Sequence, residues 1–466
     1  MNINPGIFKA YDIRGIYPND VNEENFSVII KAIYTFFTED IKRKGLRVVL
    51  GKDMRISSPT LFKIAKETLL DMGANVVDVG LVSTPTFYFS VLKYEGDCGI
   101  QISASHNPPE WNGIKFVKKS GSNLIKIGKN TGMSKVQELA QTQKFLQPEK
   151  KGTVEEIPIA CKDEVDFALN HVKPQTIKKL KVVADPANAM GITYLEELFK
   201  RLPCELVKMN FTLDGTFPVH QPDPLNFKNL IDLEKRVLEE KADLGIAPDG
   251  DGDRVFFINE KGKVIQASLI SALIATELLK THKEDRIGID IRYTRNISNA
   301  VKKVGGVPII GHVGHALITE LMNKEDILFT GESSGHYFYR DTGYAESSVI
   351  TILMILDVIS RENKPISEIV SQYITSIESG ESNYILSETV KAKDLLESIA
   401  DEYKDGHVSW LDGLAVDYPE WRFSIRTSNT EPLLRLNVEA TNEALTKEKE
   451  QLLRDKILQT GAKVKE

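Results

Sequence analysis

The pattern that most restricts the fold of this 466-residue chain is a β-α-β unit that occurs three times. In each copy an apolar strand leads to a helix, a second strand and a third strand that ends in a polar loop. A short strand follows each loop, with the sequences IKFV, RVFFI and HYFY. This repetition predicts three similar α/β domains with mixed sheets, whose loops face one ligand cleft at the strand ends.

The chain after residue 370 follows a different pattern. Strands are predicted at Tyr384–Leu386, Val408–Val416, Trp421–Ile425 and Leu434–Val438, and helices at Lys391–Tyr403 and Asn442–Leu458. This order predicts a separate C-terminal α+β domain, and a chain of this length is expected to hold about three or four domains. Polar joins place the predicted domains at residues 1–152, 153–257, 258–369 and 370–466.

Composition and charge exclude several functional classes. The formal charge of −7 argues against a general nucleic-acid partner. The N-terminal residues contain no apolar core of signal-peptide length, and the most apolar run, Val349–Ile359, includes Asp357, so no membrane partner is expected. The three scattered cysteines lack metal-binding spacing and fit a reducing compartment. We therefore expect a cytoplasmic protein.

The first polar loop contains a serine suited to covalent chemistry. The apolar run Cys98 to Ile102 predicts a buried strand, which ends before Ser105 and two prolines. Asn112-Gly113 predicts a hairpin turn that brings Lys115 back beside the serine. A hydroxyl on a rigid loop with a nearby lysine suits a covalent carrier, and the alternative is an ordinary hairpin with a capping serine.

The second polar loop carries three carboxylates. Asp249, Asp251 and Asp253 alternate with glycines, and carboxylates this close repel one another unless a cation lies among them. A small number of oxygen ligands suits a Mg²⁺ ion that keeps room for a phosphate oxygen. The adjacent Arg254 suits the neutralisation of a phosphoryl group during its transfer. The alternative is a solvated acidic turn.

Two motif matches are discounted on their context. The three aspartates with Glu260 match an EF-hand calcium loop, but Arg254 occupies the position where that loop needs glycine, and a strand follows it. Residues 331–335 fit the G-x-S-x-G nucleophile elbow of hydrolases, but that elbow opens a helix and the next residues are strand-like.

A fourth loop, residues 426–432, offers hydroxyls, an amide and Arg426 to a phosphate, or is a plain turn.

Five segments together resemble a known superfamily. KAYDIRG (9–15), SASHNPPEWNGIKF (103–116), PDGDGDR (248–254), GESSGH (331–336) and RTSNTEP (426–432) are similar, in order, to the signatures of the α-D-phosphohexomutases, in particular of the phosphomannomutase/phosphoglucomutase branch. The resemblance covers essentially the whole chain. It implies three similar α/β domains and a fourth that closes over a central cleft.

The resemblance also implies roles for individual residues. Ser105 would be the phosphoserine, and its phosphate would hold Mg²⁺ together with Asp249, Asp251 and Asp253. The residues expected to line the reacting centre are Tyr11, Arg14, His106, Lys115, Arg254 and His315. Those expected to contact the sugar are Arg292, Glu332, Ser334 and His336, and those expected to hold the phosphate that is not reacting are Arg426, Ser428, Asn429 and Thr430.

The implied reaction interconverts a hexose 6-phosphate and the 1-phosphate, of mannose, glucose or both. Phosphoserine gives its phosphoryl group to the sugar, and a hexose 1,6-bisphosphate, which is also the expected activator, turns in the cleft and returns the other phosphate. Lys115, Arg14 and the histidines remain open as the general acid or base. The expected partners are small hexose phosphates, and the expected state is a monomer or small homo-oligomer.

Three positions depart from the pattern of the branch. Ser103 replaces a common threonine and keeps the hydroxyl. Ser333 replaces a common methionine and Arg292 a common lysine, and because both changes bear on the sugar preference, that preference stays open. Phosphoglucosamine mutase is the alternative within the superfamily, although KAYDIRG argues against it. The alternative of another class is a calcium- or phosphosugar-binding protein without turnover.

Overall fold

The computed structural model describes residues 3–174, 177–387, 390–427 and 433–465. The helices in these residues are α1 (Glu23–Ile41), α2 (Ser58–Asp71), α3 (Thr84–Lys93), α4 (Met133–Thr142), α5 (Ala160–Val172), α6 (Gly191–Phe199), α7 (Ile231–Glu240), α8 (Ala267–Leu279), α9 (Arg295–Lys303), α10 (His315–Glu325), α11 (Ser348–Glu362), α12 (Ile366–Ser371), α13 (Ala392–Glu402) and α14 (Glu443–Gln459). None of the helices in these ranges is both long enough and apolar enough to cross a membrane.

The strands follow the same chain order. They are β1 (Ile13–Ile16), β2 (Arg47–Lys52), β3 (Asn75–Leu81), β4 (Cys98–Ile102), β5 (Trp111–Ser120), β6 (Asn123–Lys126), β7 (Val154–Glu156), β8 (Lys181–Ala184), β9 (Glu205–Lys208), β10 (Leu244–Pro248), β11 (Val255–Asn259), β12 (Val264–Ile265), β13 (Arg286–Asp290), β14 (Val307–Gly311), β15 (Phe329–Gly331), β16 (Tyr337–Tyr339), β17 (Ala345–Glu346), β18 (Ile377–Ile385), β19 (His407–Ser409), β20 (Leu414–Asp417), β21 (Trp421–Thr427), β22 (Leu433–Ala440) and β23 (Lys463–Val464).

The chain forms two compact units. The first unit contains Met1–Ile265 and Ser334–Ile369, and the second contains Gln266–Ser333 and Val370–Glu466. The predicted domain boundaries stay a prediction, since a division into two units does not test them.

The first unit contains two sheets with a shared strand order. One sheet runs β1-β5-β4-β2-β3-β7, with β6 paired to β5, and the other runs β12-β11-β10-β8-β9. Each has three parallel strands, β3-β2-β4 or β9-β8-β10, beside one antiparallel return strand, β5 or β11. The first sheet adds a fourth parallel strand, β7. The predicted repeat is confirmed here, and it places the serine loop after β4 and the aspartate loop after β10.

The apolar runs explain why these strands lie at the centre of their sheets. Every residue of β4 and of β10 is buried, as expected for strands covered on both faces by helices. Strands fixed in this way give the loops at their ends a rigid base.

The predicted hairpin turn at Asn112-Gly113 is wrong. Both residues lie inside β5, and the connection from β4 is the loop before Trp111. Gly113 pairs with Arg14 of β1, and a Cβ atom on Gly113 would come within 2.1 Å of the Ile13 carbonyl oxygen. The glycine therefore permits two strands to approach closely, a use that the sequence does not distinguish from a turn.

The second unit contains a parallel three-stranded arrangement and an antiparallel sheet. In the first, β13 lies between β14 and β15. The antiparallel sheet runs β19-β20-β21-β22-β18-β23, with α13 and α14 packed on it, and this confirms the predicted α+β domain. The single strand predicted at Val408–Val416 is wrong: it is the hairpin of β19 and β20, because Gly413 has a φ of 75° that interrupts an extended strand.

Candidate active site

Ser105 lies in the loop that follows β4, and its hydroxyl points towards the aspartate loop. Its Oγ is 3.2 Å from Asp249 Oδ2, to which it donates, and 3.2 Å from His106 Nδ1. The Ser105 backbone is left-handed, with a φ of 51°, and its N–H donates to the Ser103 hydroxyl at 3.0 Å. Ser103 therefore supports the turn through the hydroxyl that it shares with threonine.

The three aspartates of the second loop are buried, and the first of them is held by its own loop. Asp249 Oδ1 accepts hydrogen bonds from the backbone N–H groups of Gly252 at 3.0 Å and Arg254 at 3.2 Å. Asp249 Oδ2 accepts from Arg254 Nε at 2.9 Å. Burial raises the pKa of Asp249 to about 7, aided by the carboxylates of Asp253 and Asp251 and opposed by Arg254.

Lys115 joins the other two aspartates. Its Nζ lies 2.6 Å from Asp251 Oδ2 and 2.6 Å from Asp253 Oδ2. Burial disfavours the ammonium, but the two carboxylates outweigh it and raise the pKa of Lys115 well above its ordinary value. Burial likewise disfavours the Asp253 carboxylate, while Lys115 and His336 hold the pKa of Asp253 well below its usual range. Lys115 is therefore a fixed positive charge beside the serine loop.

The three carboxylates fit a divalent cation. One oxygen from each of Asp249, Asp251 and Asp253 lies within 4.8 Å of the others. Within the part of the chain that the structure describes, the buried Asp251 Oδ1 has no hydrogen-bond partner. Carboxylate oxygens are the ligands that Mg²⁺ prefers, and a buried oxygen without a partner is costly unless a cation binds it.

One further cation, Arg14, and the imidazole of His106 lie close to Ser105. Arg14 Nη1 donates to the Asn107 side chain and, at 3.4 Å, to the Ala104 carbonyl oxygen of the serine loop. Burial, together with the guanidinium groups of Arg254 and Arg14, lowers the pKa of the His106 imidazole well below its ordinary value. The loop thus carries a neutral imidazole among positive charges, a setting that attracts phosphate.

His336 and Ser334 also belong to the first unit. His336 Nε2 is 3.3 Å from Asp253 Oδ1, and its Nδ1 is 3.1 Å from Ser334 Oγ. Glu346 lies beside them, with a carboxylate oxygen within 4.8 Å of the ligand atoms of Asp253 and His336, and it is paired with the buried Lys126. Tyr11 lies half-buried before β1.

The second unit brings together another set of the predicted residues. Arg292 forms a two-point pair with Asp290, at 3.1 Å for each contact, and lies 3.2 Å from Glu332 Oε1. The same Glu332 oxygen accepts from the Gly314 N–H at 3.1 Å, next to His315 at the start of α10. Asp290, Arg292 and Glu332 form one buried polar cluster after β13 and β15.

Arg426 lies at the end of β21, also in the second unit. Its Nε donates to Asp412 Oδ2 at 3.0 Å, and Asp412 accepts from the Val313 N–H at 2.9 Å. Among residues 3–174, 177–387, 390–427 and 433–465, nothing accepts a hydrogen bond from Arg426 Nη1. The predicted phosphate-binding residues Ser428, Asn429 and Thr430 lie outside the described residues.

The structure adds residues that sequence reasoning missed. Thr84, at the start of α3, donates from its hydroxyl to Asp251 Oδ2 at 2.6 Å. Asp412 orients Arg426, and Glu346 adjoins His336. The Ser-Thr-Pro helix start at residue 84 is a sequence signal for a cap, but it gives no indication of a partner 167 residues away.

Both discounted motifs are excluded by the structure. The strand β11 follows the aspartates directly, and Glu260 accepts hydrogen bonds from the Ser367 backbone and hydroxyl. No helix opens after residue 335, since β16 begins at Tyr337. The aspartate loop is therefore not an EF-hand, and residues 331–335 are not a nucleophile elbow.

Comparisons with known proteins agree with this fold. Residues 5–145, 163–262 and 267–377 match the phosphoglucomutase/phosphomannomutase alpha/beta/alpha domains I, II and III, and residues 387–456 match the C-terminal domain of the same family. The chain belongs to the phosphoglucomutase/phosphomannomutase family, and its fold is that of the phosphohexomutases.

Individual relatives extend over the whole chain. The phosphomannomutase of Vibrio cholerae is 35% identical over 443 residues, which are 93% of this chain and 94% of the relative. The phosphomannomutase of Methanocaldococcus jannaschii is 34% identical and covers 98% of both chains. The crystal structure of a phosphoglucomutase/phosphomannomutase family protein from Burkholderia thailandensis has a TM-score of 0.87, is 30% identical and covers 99% of both chains. The protein is therefore an isomerase of the phosphohexomutase type.

Proposed function

We propose that this enzyme interconverts hexose 6-phosphates and hexose 1-phosphates, of mannose, glucose or both, through a phosphoserine at Ser105. The observation that carries the proposal is the position of the Ser105 hydroxyl, 3.2 Å from Asp249 in a cluster of three buried aspartates. A nucleophile beside a cation site is the arrangement that phosphoryl transfer needs.

The reaction consists of two transfers at one serine. In the first, the bond between phosphorus and Ser105 Oγ breaks, the sugar hydroxyl oxygen bonds to phosphorus, and the hydroxyl proton passes to a base. The hexose 1,6-bisphosphate then turns end for end, and its other phosphate returns to Ser105 Oγ as the sugar oxygen recovers a proton. Lys115, Arg14 and the histidines are the candidate acid–base groups. Of these, Arg14, His106 and Lys115 lie beside the serine loop or the aspartates that it contacts.

The three aspartates, together with the Ser105 phosphate, would hold Mg²⁺. The bound Mg²⁺ supplies charge neutralisation to the phosphoryl group in transfer. Lys115 and Arg254 keep the carboxylates in place by ion pairs at 2.6 Å and 2.9 Å, so the loop is ordered around its negative charges. The positive charges of Lys115 and Arg254 also face the phosphoryl group in transfer.

The remaining predicted residues serve substrate binding in this proposal. In the first unit, Tyr11 lines the reacting centre, and Ser334 and His336 contact the sugar. In the second unit, Arg292 and Glu332 bind sugar hydroxyls, and their fixed pair at 3.2 Å supports such a role. Arg426, with Ser428, Asn429 and Thr430, binds the phosphate that is not reacting.

A coupled assay tests the substrate class. The purified enzyme, with Mg²⁺ and a trace of glucose 1,6-bisphosphate, is given glucose 1-phosphate, mannose 1-phosphate or glucosamine 1-phosphate. We expect turnover of the mannose or glucose compound, or both, and little of the glucosamine compound. Preference for glucosamine 1-phosphate would favour the alternative mutase, and binding without turnover of any sugar would contradict the proposed reaction. Ser105→Ala is the matched control.

A further inference from the structure

The side chain of Arg55, in the turn between β2 and α2, is fully buried, with no exposed surface. Its guanidinium donates four hydrogen bonds to backbone carbonyl oxygens of one loop. Nη1 donates to Pro108 O at 2.7 Å and Trp111 O at 2.9 Å, and Nη2 donates to Ser105 O at 2.8 Å and Asn107 O at 2.6 Å. One side chain therefore holds the serine loop from its nucleophile to the start of β5.

The neighbours of Arg55 fix the guanidinium itself. Asp53 Oδ2 lies 3.3 Å from Arg55 Nε, and the Phe217 ring lies 5.2 Å from the guanidinium carbon. Asp53 is held in turn by the Ser58 hydroxyl at 2.6 Å. Gly215 lies against the Arg55 backbone so closely that a Cβ atom there would be 2.7 Å from Arg55 Cα. These contacts leave the side chain little freedom to move with the loop.

The hydrogen bonds from Arg55 matter most at Ser105, because the backbone conformation of Ser105 is unfavourable. A non-glycine residue at a φ of 51° costs on the order of 1–2 kcal/mol, so the surroundings have to maintain it. The Ser105 N–H is bound by Ser103 and the Ser105 carbonyl oxygen by Arg55, at 3.0 Å and 2.8 Å. With both ends of the residue fixed, its Cα–Cβ bond directs Oγ at Asp249, 3.2 Å away.

We propose that Arg55 is a positioning residue for phosphoryl transfer: it holds the serine loop in the left-handed conformation that aims the Ser105 hydroxyl at the aspartate site. This inference rests on the proposed phosphoserine function of Ser105. Arg55 acts through the loop carbonyls and bears on the rate of transfer, not on the binding of the sugar.

Single-turnover transfer tests this inference. Wild type, Arg55→Gln and Arg55→Lys are mixed with glucose 1,6-bisphosphate and Mg²⁺, and phosphate on Ser105 is followed by mass spectrometry. We expect a fall in rate of roughly tenfold to a hundredfold for Arg55→Gln, since an error of about 1 Å in placement costs about a hundredfold. The transfer rate should fall less in Arg55→Lys than in Arg55→Gln, because an ammonium can make some of the four hydrogen bonds to the loop carbonyls but cannot make all four. The KM for hexose phosphate should change less than threefold.

Amide hydrogen exchange and a stability control complete the test. Residues 104–112 should exchange faster in both Arg55 variants, whereas Leu69→Ala, a core truncation in α2, should lower stability without that local change or the loss in transfer rate. If Arg55→Gln does not fold, the lysine variant carries the comparison. A folded Arg55 variant that transfers phosphate as fast as the wild type would overturn this inference but not the proposed function. Failure of the wild type to accept phosphate on Ser105 would overturn the proposed function and this inference together.

Discussion

Gly250 lies so close to Ser105 that a Cβ atom built on the glycine would come within 2.3 Å of the Ser105 carbonyl oxygen. The aspartate loop and the serine loop are thus in direct backbone contact. The Gly250 N–H also donates to the Pro222 carbonyl oxygen at 3.0 Å, which fixes the glycine from its own side. The distance between the Ser105 hydroxyl and the carboxylates is therefore set at Gly250, where there is no room for a side chain.

Gly250→Ala should separate the two loops. The alanine Cβ would overlap the Ser105 carbonyl oxygen, and only a shift of the backbone can remove this overlap, at a cost of about 1–3 kcal/mol. The shift should slow the phosphorylation of Ser105 at least tenfold. The rate of phosphate incorporation from glucose 1,6-bisphosphate is the measurement. Gly121→Ala is the control: its φ of 62° strains an alanine, but nothing lies within 4 Å of a Cβ there, so this variant tests a loss of stability without displacement of the two loops. Equal rates in Gly250→Ala and wild type would show that the close approach is not required.

Asp251→Asn should weaken metal binding far more than folding. The variant removes a negative charge from the cluster but keeps a group of the same shape that accepts from Thr84 and faces Lys115. We expect the apparent Kd for Mg²⁺, from titration of the chelated enzyme, to rise at least tenfold while the thermal unfolding midpoint changes by only a few degrees. Full activity of chelated wild-type enzyme, or unchanged Mg²⁺ affinity in the variant, would remove the aspartates from the metal site.

Arg426→Ala should weaken substrate binding. A charge-assisted hydrogen bond contributes about 1.5–3 kcal/mol, so the KM for hexose phosphate should rise roughly tenfold to a hundredfold. Ser105 should still accept phosphate from added glucose 1,6-bisphosphate, more slowly. Arg454→Ala, an exposed arginine of α14, controls for the loss of one positive charge. An unchanged KM and kcat in Arg426→Ala would separate Arg426 from the substrate site.

Glu164 should make stability depend on pH. Burial raises its pKa from 4.5 to about 7, against a hydrogen bond from the Thr86 hydroxyl that lowers it. Because the folded value lies above the unfolded one, the stabilisation is fully present below pH 4.5 and is lost as the pH rises through 7. This rise in pKa corresponds to about 3 kcal/mol at most.

Urea unfolding from pH 5 to pH 8 measures this effect. Stability should fall less across that range in Glu164→Gln than in wild type, because the glutamine does not ionise. Glu239→Gln, at an exposed position in α7, should follow the wild type. A Glu164→Gln curve parallel to that of the wild type would show that Glu164 is ionised in the folded protein.

The sequence predicts those parts of the site that lie next to one another along the chain. Ser105 and the three aspartates are recognisable because each group follows an apolar strand, and β4 has the predicted bounds. Arg55 and Thr84 were not predicted, because their partners lie 50 or more residues away and the pairing depends on strand order within the sheet. The error at Asn112-Gly113 has the same cause, since the close approach of β1 to β5 involves residues about 100 positions apart.

The most direct test of the proposed mechanism is the location of phosphate on the enzyme. Wild-type protein is incubated with glucose 1,6-bisphosphate and Mg²⁺, then examined by intact mass and by peptide mapping, with Ser105→Ala treated alongside. We expect one phosphate, on Ser105, that is removed when hexose 6-phosphate or 1-phosphate is added, and a folded Ser105→Ala variant that has lost most of its mutase activity. Phosphate found only at other residues, together with full activity of Ser105→Ala, would contradict it.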